Sequence, residues 1–501
     1  SIATLVTVFN MMDSESSKQI DFSFPDSIRD FVFDLHDSTR RSFRLEDVTA
    51  LYDKFKELSE KYFSSSAWPD VDSVSSECGG DETFLLFYRE LTLRHYFTKM
   101  KQIPLALYLK SWDNYTKLFK VLLESPDSFI LISSQWAYDI VQEFVYQFQS
   151  YCQYRSQTTS RSEEDVNAIG ASSDAWSLPI VSNILHKLIS KSQNATGPPA
   201  SSAADIHILM GYFGRIELAR MECLLSDYVA SLSAISSINL NDPNELFVSV
   251  PVSHVNVFYH AAVSMIMIRR YDDAIGALSS AILHISRVLK PGSVTLKSSV
   301  LTQHQKMMEK MLMLYALAST MSPGHRSDEQ VVDAVLSKCS DKLKRLQAGD
   351  VGTFEDIFES ACPKFISPMV SENTTQSGGF DAWRTQVHMF MMEAKQQIAL
   401  MKLRSYLRLY SCIELGKLSR FNDMSEEELV SKLLALSHKC RDSTGAKVSY
   451  SISDGKLIIN SDQTPTLASV PERYFFISGI RKSSEHVADL NDIFRDFESK
   501  Y

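Results

Sequence analysis

Glycine and proline are scarce in this chain, and their scarcity limits the folds it can adopt. Its 501 residues include 17 glycines and 15 prolines, roughly half the share of an average protein. Tight turns depend on these residue types, so β-sandwiches and β-barrels, which contain many turns, are disfavoured. With 44% hydrophobic and 22% charged residues, the chain has enough apolar surface to fold. We therefore expect a folded protein with few tight turns.

Charge and cysteine content exclude several classes of protein. The net charge of −10 repels phosphate backbones and argues against a chain-wide nucleic-acid binder. The seven cysteines are widely spaced and form no disulfide or zinc motif, which favours a reducing compartment. The longest apolar stretch, residues 257–268, is too short to span a bilayer, which takes ~20 residues. Residues 1–9 lack the basic flank of a signal peptide. We predict a soluble, cytoplasmic protein without membrane or DNA contacts.

An aromatic helix is predicted over residues 136–152, where apolar side chains recur with the spacing of one helix face and Ser133 or Ser134 can act as N-cap. Charged residues are few on its other faces, so the helix either packs inside the chain on more than one side or presents an aromatic ridge to a partner. Under the second interpretation, the candidate interface residues are the tyrosines at intervals of eight, namely Tyr138, Tyr146 and Tyr154.

The middle of the chain contains an internal repeat with an offset of 43 residues. The corresponding pairs are Ala219 with Ala262, Tyr228 with Tyr271, and Ser231 with Ala274. Their pattern of small and large residues is typical of a helix, a tight turn and a second helix, as in tetratricopeptide-like units. Two ordinary amphipathic hairpins aligned by chance are the alternative. Both interpretations predict an α-solenoid-like region.

A change of period marks the C-terminal part. A long helix is predicted from Trp383 to about Tyr410, followed by a short helical pattern over residues 413–418 and a helix that begins at a capping box, Ser425 to Glu428. Residues 448–460 then alternate as a β-hairpin around Asp454-Gly455. Helix, helix and hairpin together predict a winged helix. A further short strand over 473–477 and a terminal helix over 487–497 are also expected.

No motif for catalysis can be identified. The chain has no phosphate-binding glycine loop, no H-E-x-x-H and no G-x-S-x-G, and Gly211 and Gly214 lie within a helical pattern. Cys362 has no histidine or acid near it in sequence to activate its thiol, so a fixed loop between helices explains that segment better. We predict a protein that is not an enzyme and binds no cofactor.

The predicted winged helix is unsuited to duplex DNA. The helix that would enter the major groove begins with Glu426, Glu427 and Glu428, whose carboxylates repel phosphates. The second hairpin strand instead offers a sheet edge that can pair with a strand of another chain. On this hypothesis, the second set of candidate interface residues is Leu457, Ile458 and Ile459, with Leu457 and Ile459 on one face and Ile458 on the other.

Helical hairpins that lead through a long helix into a winged helix without a basic surface resemble the PCI module, which is found in the proteasome lid, the COP9 signalosome and a translation initiation factor. A more specific resemblance rests on an ordered set of local sequences, namely Trp68-Pro69-Asp70, residues 84–91 with Arg94-His95, residues 143–150 with 153–155, residues 211–213, residues 269–271 with 273–275, residues 362–365 with Ser367-Pro368, and residues 404–410. Together these sequences resemble the family of L subunits of eukaryotic translation initiation factor 3.

The resemblance implies a non-catalytic scaffold subunit whose PCI module packs against other initiation factor 3 subunits, with subunit K as the closest partner, and which acts on the small ribosomal subunit with at most indirect contact to mRNA. A scaffold subunit of the proteasome lid or signalosome and a direct RNA-binding module are the alternatives. The expected segments are an N-terminal helical region (1–205), helical-hairpin repeats (206–380), the PCI module (381–480) and a C-terminal helix (481–501).

Overall fold

The structure is a computed structural model, and it describes residues 25–40, 44–64, 66–78, 80–100, 102–124, 131–156, 163–194, 205–289, 298–322, 328–368, 381–441 and 449–460. These residues are mostly helical, and their strands lie near the C-terminal end of the described part. The predicted all-α class, helical hairpins followed by a winged helix with a small sheet, is confirmed. The strand predicted over 473–477 and the helix predicted over 487–497 lie outside the described residues.

The chain folds into two compact units. The first comprises Ser1–Ile268, Ser280–Met311 and Cys362–Gln386, and the second comprises Arg269–Ser279, Leu312–Ala361 and Val387–Tyr501. This division groups stretches that are separate in sequence. It therefore does not test the four contiguous segments expected from the sequence, which stay predictions.

Helices α1 to α12 belong to the first unit. They are α1 (Asp26–Arg40), α2 (Leu45–Tyr62), α3 (Val71–Glu77), α4 (Glu82–Lys99), α5 (Leu105–Glu124), α6 (Ser134–Ser156), α7 (Glu163–Ala171), α8 (Leu178–Asn194), α9 (Ile206–Leu224), α10 (Tyr228–Ala234), α11 (Leu246–Ser249) and α12 (Pro251–Met267).

Helices α13 (Tyr271–Val288) and α14 (Ser298–Met321) contribute residues to both units, as does α17 (Ala382–Leu409). The other elements of the second unit are α15 (Glu329–Ala348), α16 (Val351–Ala361), β1 (Cys412–Glu414), α18 (Leu415–Phe421), α19 (Glu426–Arg441), β2 (Ser449–Ser453) and β3 (Lys456–Asn460).

Aromatic side chains fill the core of the first unit around α6. Phe144 is fully buried, and its ring centroid lies 4.9 Å from that of Phe119 and 5.4 Å from that of Trp176. The hydroxyl of Ser133 accepts a hydrogen bond from the backbone N–H of Trp136 at 3.3 Å, which confirms Ser133 as the N-cap. Buried aromatic rings contribute much of the apolar area of a core, so α6 supplies a large part of the core of this unit.

Close helix packing in the first unit depends on Gly211. This residue lies inside α9, as the sequence predicts, and a Cβ atom built there would come within 2.8 Å of the carbonyl oxygen of Leu188 and clash with Ser192, both on α8. Only glycine allows the two helix backbones this approach.

The 43-residue repeat is visible in the helix boundaries. Tyr228 begins α10 and Tyr271 begins α13. The turns before them carry the same unusual backbone conformation, because Ser226 has a φ of 71° and Arg269 a φ of 69°. In the first copy, the Ser231 hydroxyl donates a hydrogen bond to the Ala219 carbonyl at 2.8 Å. Because both copies have a left-handed residue at the same position of the turn, they form a true structural repeat.

In the second unit, α16 and α17 pack through aromatic rings. The centroids of Phe358 and Phe390 lie 4.0 Å apart, with their planes nearly parallel. Gly349 ends α15 with a φ of 79°, and its N–H bonds to the carbonyl oxygens of Arg345 and Leu346. A left-handed glycine of this kind satisfies carbonyl groups that the helix end leaves open.

Candidate subunit interfaces

The winged helix has a leucine core. The C-terminal part of α17, β1, α18, α19 and β3 contribute ten buried side chains, while Tyr450 of β2 packs against them. The ten are Leu400, Leu403, Leu407, Ile413, Leu415, Leu418, Leu429, Leu433, Leu436 and Leu457. Because this core closes on side chains of its own elements, contact with a partner has to use the outer surface.

Strand β3 is the central strand of the sheet, and the prediction of a free edge at Leu457–Ile459 is wrong. The strand order is β1-β3-β2, and both pairs are antiparallel. Ile458 lies opposite Cys412 of β1 and Ser451 of β2. The sequence reading missed β1 because three residues are too few to distinguish strand from helix spacing. The backbone groups of β3 are therefore used inside the sheet.

The two faces of β3 differ as the sequence predicts. Leu457 is fully buried and Ile459 is partly buried against the leucine core. Ile458 points to the other face, where 40% of it is exposed. Its cross-strand neighbours Cys412 and Ser451 are exposed as well. Among the described strand residues, the outer face of this sheet thus presents one large apolar side chain, Ile458, among small and polar ones.

The N-terminal end of α19 is acidic and exposed. The Ser425 hydroxyl accepts a hydrogen bond from the backbone N–H of Glu428 at 3.2 Å, which confirms Ser425 as N-cap. Glu426, Glu427 and Glu428 are all exposed. They occupy the position from which a helix-turn-helix protein contacts bases. Carboxylates there favour a protein partner over a phosphate backbone.

The three tyrosines of α6 do not form a ridge. Tyr138 is fully buried, whereas 44% of Tyr146 is exposed. Tyr154 is half-buried, and its ring lies 5.4 Å from that of Tyr108. Residues eight apart on an α-helix are rotated by about 80°, so three of them spread over nearly half its circumference. The interpretation that α6 packs inside the chain on several sides is confirmed, and only Tyr146 offers a well-exposed ring.

Paired charges hold α6 against α2 and α4. Arg94 Nε lies 3.5 Å from Glu90 Oε1, and its Nη1 lies 3.9 Å from Asp139 Oδ2. The Tyr52 hydroxyl donates a hydrogen bond to Asp139, and Trp136 Nε1 donates one to Glu90 at 3.4 Å. Burial raises the pKa of Glu90, and the charge of Arg94 opposes that shift. Sequence reasoning missed this group, although Asp139 is one of the few charged residues of α6.

A second buried carboxyl lies further along α6. Burial raises the pKa of Glu143 to about 7, and a hydrogen bond from Gln147 opposes the shift. Gln147 Nε2 lies 2.9 Å from Glu143 Oε1, and Ser111 of α5 donates to the oxygen of the same Gln147 amide at 2.5 Å. This chain of hydrogen bonds links α5 to α6.

Three buried or partly buried histidines of the first unit come together, which the sequence did not reveal. The rings of His254 and His284 are stacked 3.7 Å apart. Burial, together with the nearby His284 and His304, lowers the pKa of His254 to about 3. Across the described residues, no group of three or more His, Cys, Asp or Glu side chains could hold a metal ion.

Cys362 lies in a segment held to the end of α9. Its side chain is buried, and four residues later the backbone N–H of Ile366 donates a hydrogen bond to the Leu224 carbonyl at 3.0 Å. Arg155 of α6 donates another to the Pro368 carbonyl at 2.9 Å. These bonds agree with the interpretation of residues 362–368 as a fixed loop between helices.

A search of the described helices for membrane spans finds none long and apolar enough to cross a bilayer.

Helical hairpins followed by a winged helix, with carboxylates where a DNA-binding winged helix contacts bases, define a PCI-type protein. A family model described as RNA polymerase I-associated factor PAF67 matches residues 108–466. The chain is also similar to curated relatives named eukaryotic translation initiation factor 3 subunit L. The relative from Nematostella vectensis is 31% identical over 438 residues, which cover 84% of this chain and 82% of the relative.

Two vertebrate relatives with the same name show a similar degree of identity to this chain. The one from Danio rerio is 34% identical over 405 residues, covering 77% of this chain and 70% of the relative. The one from Homo sapiens is 33% identical over 402 residues, covering 77% of this chain and 71% of the relative. The chain therefore belongs to the family of eukaryotic translation initiation factor 3 subunit L.

Proposed function

We propose that this protein is a non-catalytic scaffold subunit of eukaryotic translation initiation factor 3, which joins other PCI subunits in the cytoplasm and acts with them on the small ribosomal subunit. The observation that carries the proposal is the 31–34% identity to subunit L over 77–84% of the chain. The family-model match over residues 108–466 covers both the helical hairpins and the winged helix.

The chemistry of the winged helix supports a role in protein assembly. Its core is filled by leucines from its own helices and strands. The exposed end of α19 carries Glu426, Glu427 and Glu428, which repel nucleic acid. Assembly by burial of apolar side chains requires no reactive group, so the scaffold role fits this surface.

Three of the candidate interface residues are accessible for such assembly. Ile458 on the outer sheet face and Tyr146 on α6 are exposed, and Tyr154 is half-buried. Leu457 and Ile459 instead support the leucine core, and Tyr138 is enclosed. We propose Ile458 and Tyr146 as the first residues to test for subunit contact, with subunit K as the expected neighbour and any mRNA contact made through other subunits.

Co-purification tests the proposal. The full chain is tagged and isolated from the cells that produce it, and its companions are identified by mass spectrometry after washes of increasing salt. Initiation factor 3 subunits, subunit K among them, are expected to persist at high salt because apolar contacts are weakly screened. Recovery of proteasome lid, signalosome or RNA polymerase I subunits in their place would overturn it.

Direct RNA binding is the competing function, and salt distinguishes it. A protein that neutralises phosphates loses affinity steeply as salt rises. We expect the isolated chain to bind single-stranded RNA weakly at physiological salt. Tight binding with a steep salt slope, reduced by charge reversal of exposed lysines and arginines, would favour the RNA-binding alternative.

A further inference from the structure

A shallow cleft in the first unit has a composition suited to one kind of ligand. It lies between α5 and the turn after α7 and has a volume of about 310 Å³. Its walls are Leu109 and Trp112 on one side and the turn Ala171, Ser172, Ser173, Asp174 and Ala175 on the other. The indole of Trp112 is partly exposed, and Asp174 is exposed at the rim.

A buried tryptophan fixes the turn that forms one wall. Trp176 is fully buried, and its indole N–H donates a hydrogen bond to the Tyr108 carbonyl of α5 at 2.9 Å. Its ring centroid lies 5.1 Å from that of Trp112. Trp176 has a φ of 53°, a conformation that costs a bulky residue free energy. Strained backbone of this kind is often found where a site is held in shape.

Hydrogen bonds within the turn also hold its polar groups in place. The N–H of Ala175 bonds to the Ser172 carbonyl at 3.0 Å, and the N–H of Ser177 bonds to the Asp174 carbonyl at 3.3 Å. The carboxylate of Asp174 is therefore carried by an ordered turn beside the Trp112 wall. The cleft exists before any ligand binds.

The charge of the lining selects the class of ligand. Asp174 is the only charged residue among the lining residues, and none of them is basic. Phosphates and acidic side chains would find no positive group there. A guanidinium can stack on an aromatic ring while it donates hydrogen bonds to a carboxylate.

We propose that this cleft binds a cationic side chain, an arginine, from a partner polypeptide, with the guanidinium against Trp112 and its N–H groups directed to Asp174. The volume admits one such side chain and excludes a folded element. The site is distinct from the winged helix, so it provides the protein with a second point of attachment.

Nuclear magnetic resonance of the full chain tests the proposal. With ¹⁵N-labelled tryptophan, the chain gives one indole signal for each of its five tryptophans, and the Trp112→Phe variant assigns the signal of interest. The probe is a blocked Gly-Arg-Gly peptide, compared with the same peptide carrying citrulline, which has nearly the same shape but no charge. We expect the arginine peptide alone to shift the Trp112 signal in a saturable manner.

Two variants with the same change of charge distinguish the cleft from the surface in general. Asp174→Asn should weaken binding of the arginine peptide about tenfold, since a charged hydrogen bond is lost. Asp113→Asn is the control. Asp113 is exposed on α5, the helix of Trp112, and pairs with Lys117 at 2.7 Å outside the cleft. This control variant should leave the affinity unchanged.

Three results would each overturn the proposal: no saturable shift of Trp112 at millimolar arginine peptide, an equal shift with the citrulline peptide, or equal weakening by the two aspartate variants. The first would mean that the cleft takes no such ligand, the second that its charge plays no part, and the third that the attraction is only that of a negatively charged chain.

Discussion

The side-chain amide of Asn256 donates a hydrogen bond to the phenol oxygen of Tyr138, with 2.7 Å between the two atoms. Tyr138 is fully buried, and its ring centroid lies 5.3 Å from that of Phe213. A residue that the sequence offers as a partner contact thus joins α6 to α9 and α12 inside the first unit.

We expect Tyr138→Phe to lower the free energy of unfolding by about 1–3 kcal/mol, because the partly buried Asn256 amide loses its acceptor. Urea unfolding followed by circular dichroism measures this. Tyr146→Phe is the matched control: it removes the same hydroxyl from an exposed ring on the same helix, and it should change stability by less than about 0.5 kcal/mol. Equal stability of the two variants would contradict the buried role of Tyr138.

The approach of α8 to α9 predicts a strong effect of a single methyl group. Gly211→Ala would drive a Cβ atom into Ser192 and the Leu188 carbonyl, and we expect it to destabilise the chain by about 1–3 kcal/mol or more. Gly276→Ala makes the same change at an exposed position of α13, where the added Cβ atom would meet no described atom outside the local helix backbone within 4 Å. There alanine should stabilise the helix by about 0.5–1 kcal/mol. Thermal melts of both variants check the opposite signs.

The stacked histidines predict a loss of stability in acid. The folded-state pKa of His254 is about 3 against an ordinary value of 6.5, so between these values the unfolded chain binds the extra proton. Above pH 6.5 this difference leaves the free energy of unfolding unchanged. Below pH 6.5 it lowers the free energy of unfolding by up to about 1.4 kcal/mol per pH unit. Glu143 acts in the opposite direction, since its raised pKa favours the folded state as pH falls from about 7.

The two effects are separated by a variant. His254→Phe keeps a ring beside Phe247 and Phe258 but cannot bind a proton, while Glu143 is retained. The wild-type free energy of unfolding should therefore fall relative to that of the variant by about 2 kcal/mol between pH 7 and pH 5. Urea titrations at four pH values measure the difference. A difference that does not change with pH would show that His254 is not held neutral by the fold.

Local signals were sufficient to predict the helices, and tertiary contacts determined the rest. The N-caps Ser133 and Ser425 act within their own helices, so a sequence pattern identifies them. Strand β1 depends on pairing Cys412 with Ile458, 46 positions away, and three residues carry no period. The stacking of His254 on His284 likewise requires two helices to meet, and spacing along one chain segment gives no sign of it.

The central position of β3 also changes how its role in assembly can be tested. Lys456 lies opposite both Glu414 and Ser453, so a proline there would disturb the sheet itself. A side-chain change on the outer face avoids this. Ile458→Asp adds a charge where the side chain is 40% exposed and leaves the backbone bonds in place.

If the outer sheet face meets a neighbouring subunit, Ile458→Asp should reduce recovery of that subunit in pull-downs from cells at least tenfold, since a buried unpaired charge costs several kcal/mol. Val229→Asp is the control, because Val229 is 69% exposed on α10 and undergoes the same change on another surface. Both variants must melt as the wild type does. If Ile458→Asp then recovers every subunit at the wild-type level, the outer sheet face does not carry assembly, and Tyr146→Asp on α6 becomes the next variant to compare with Val229→Asp.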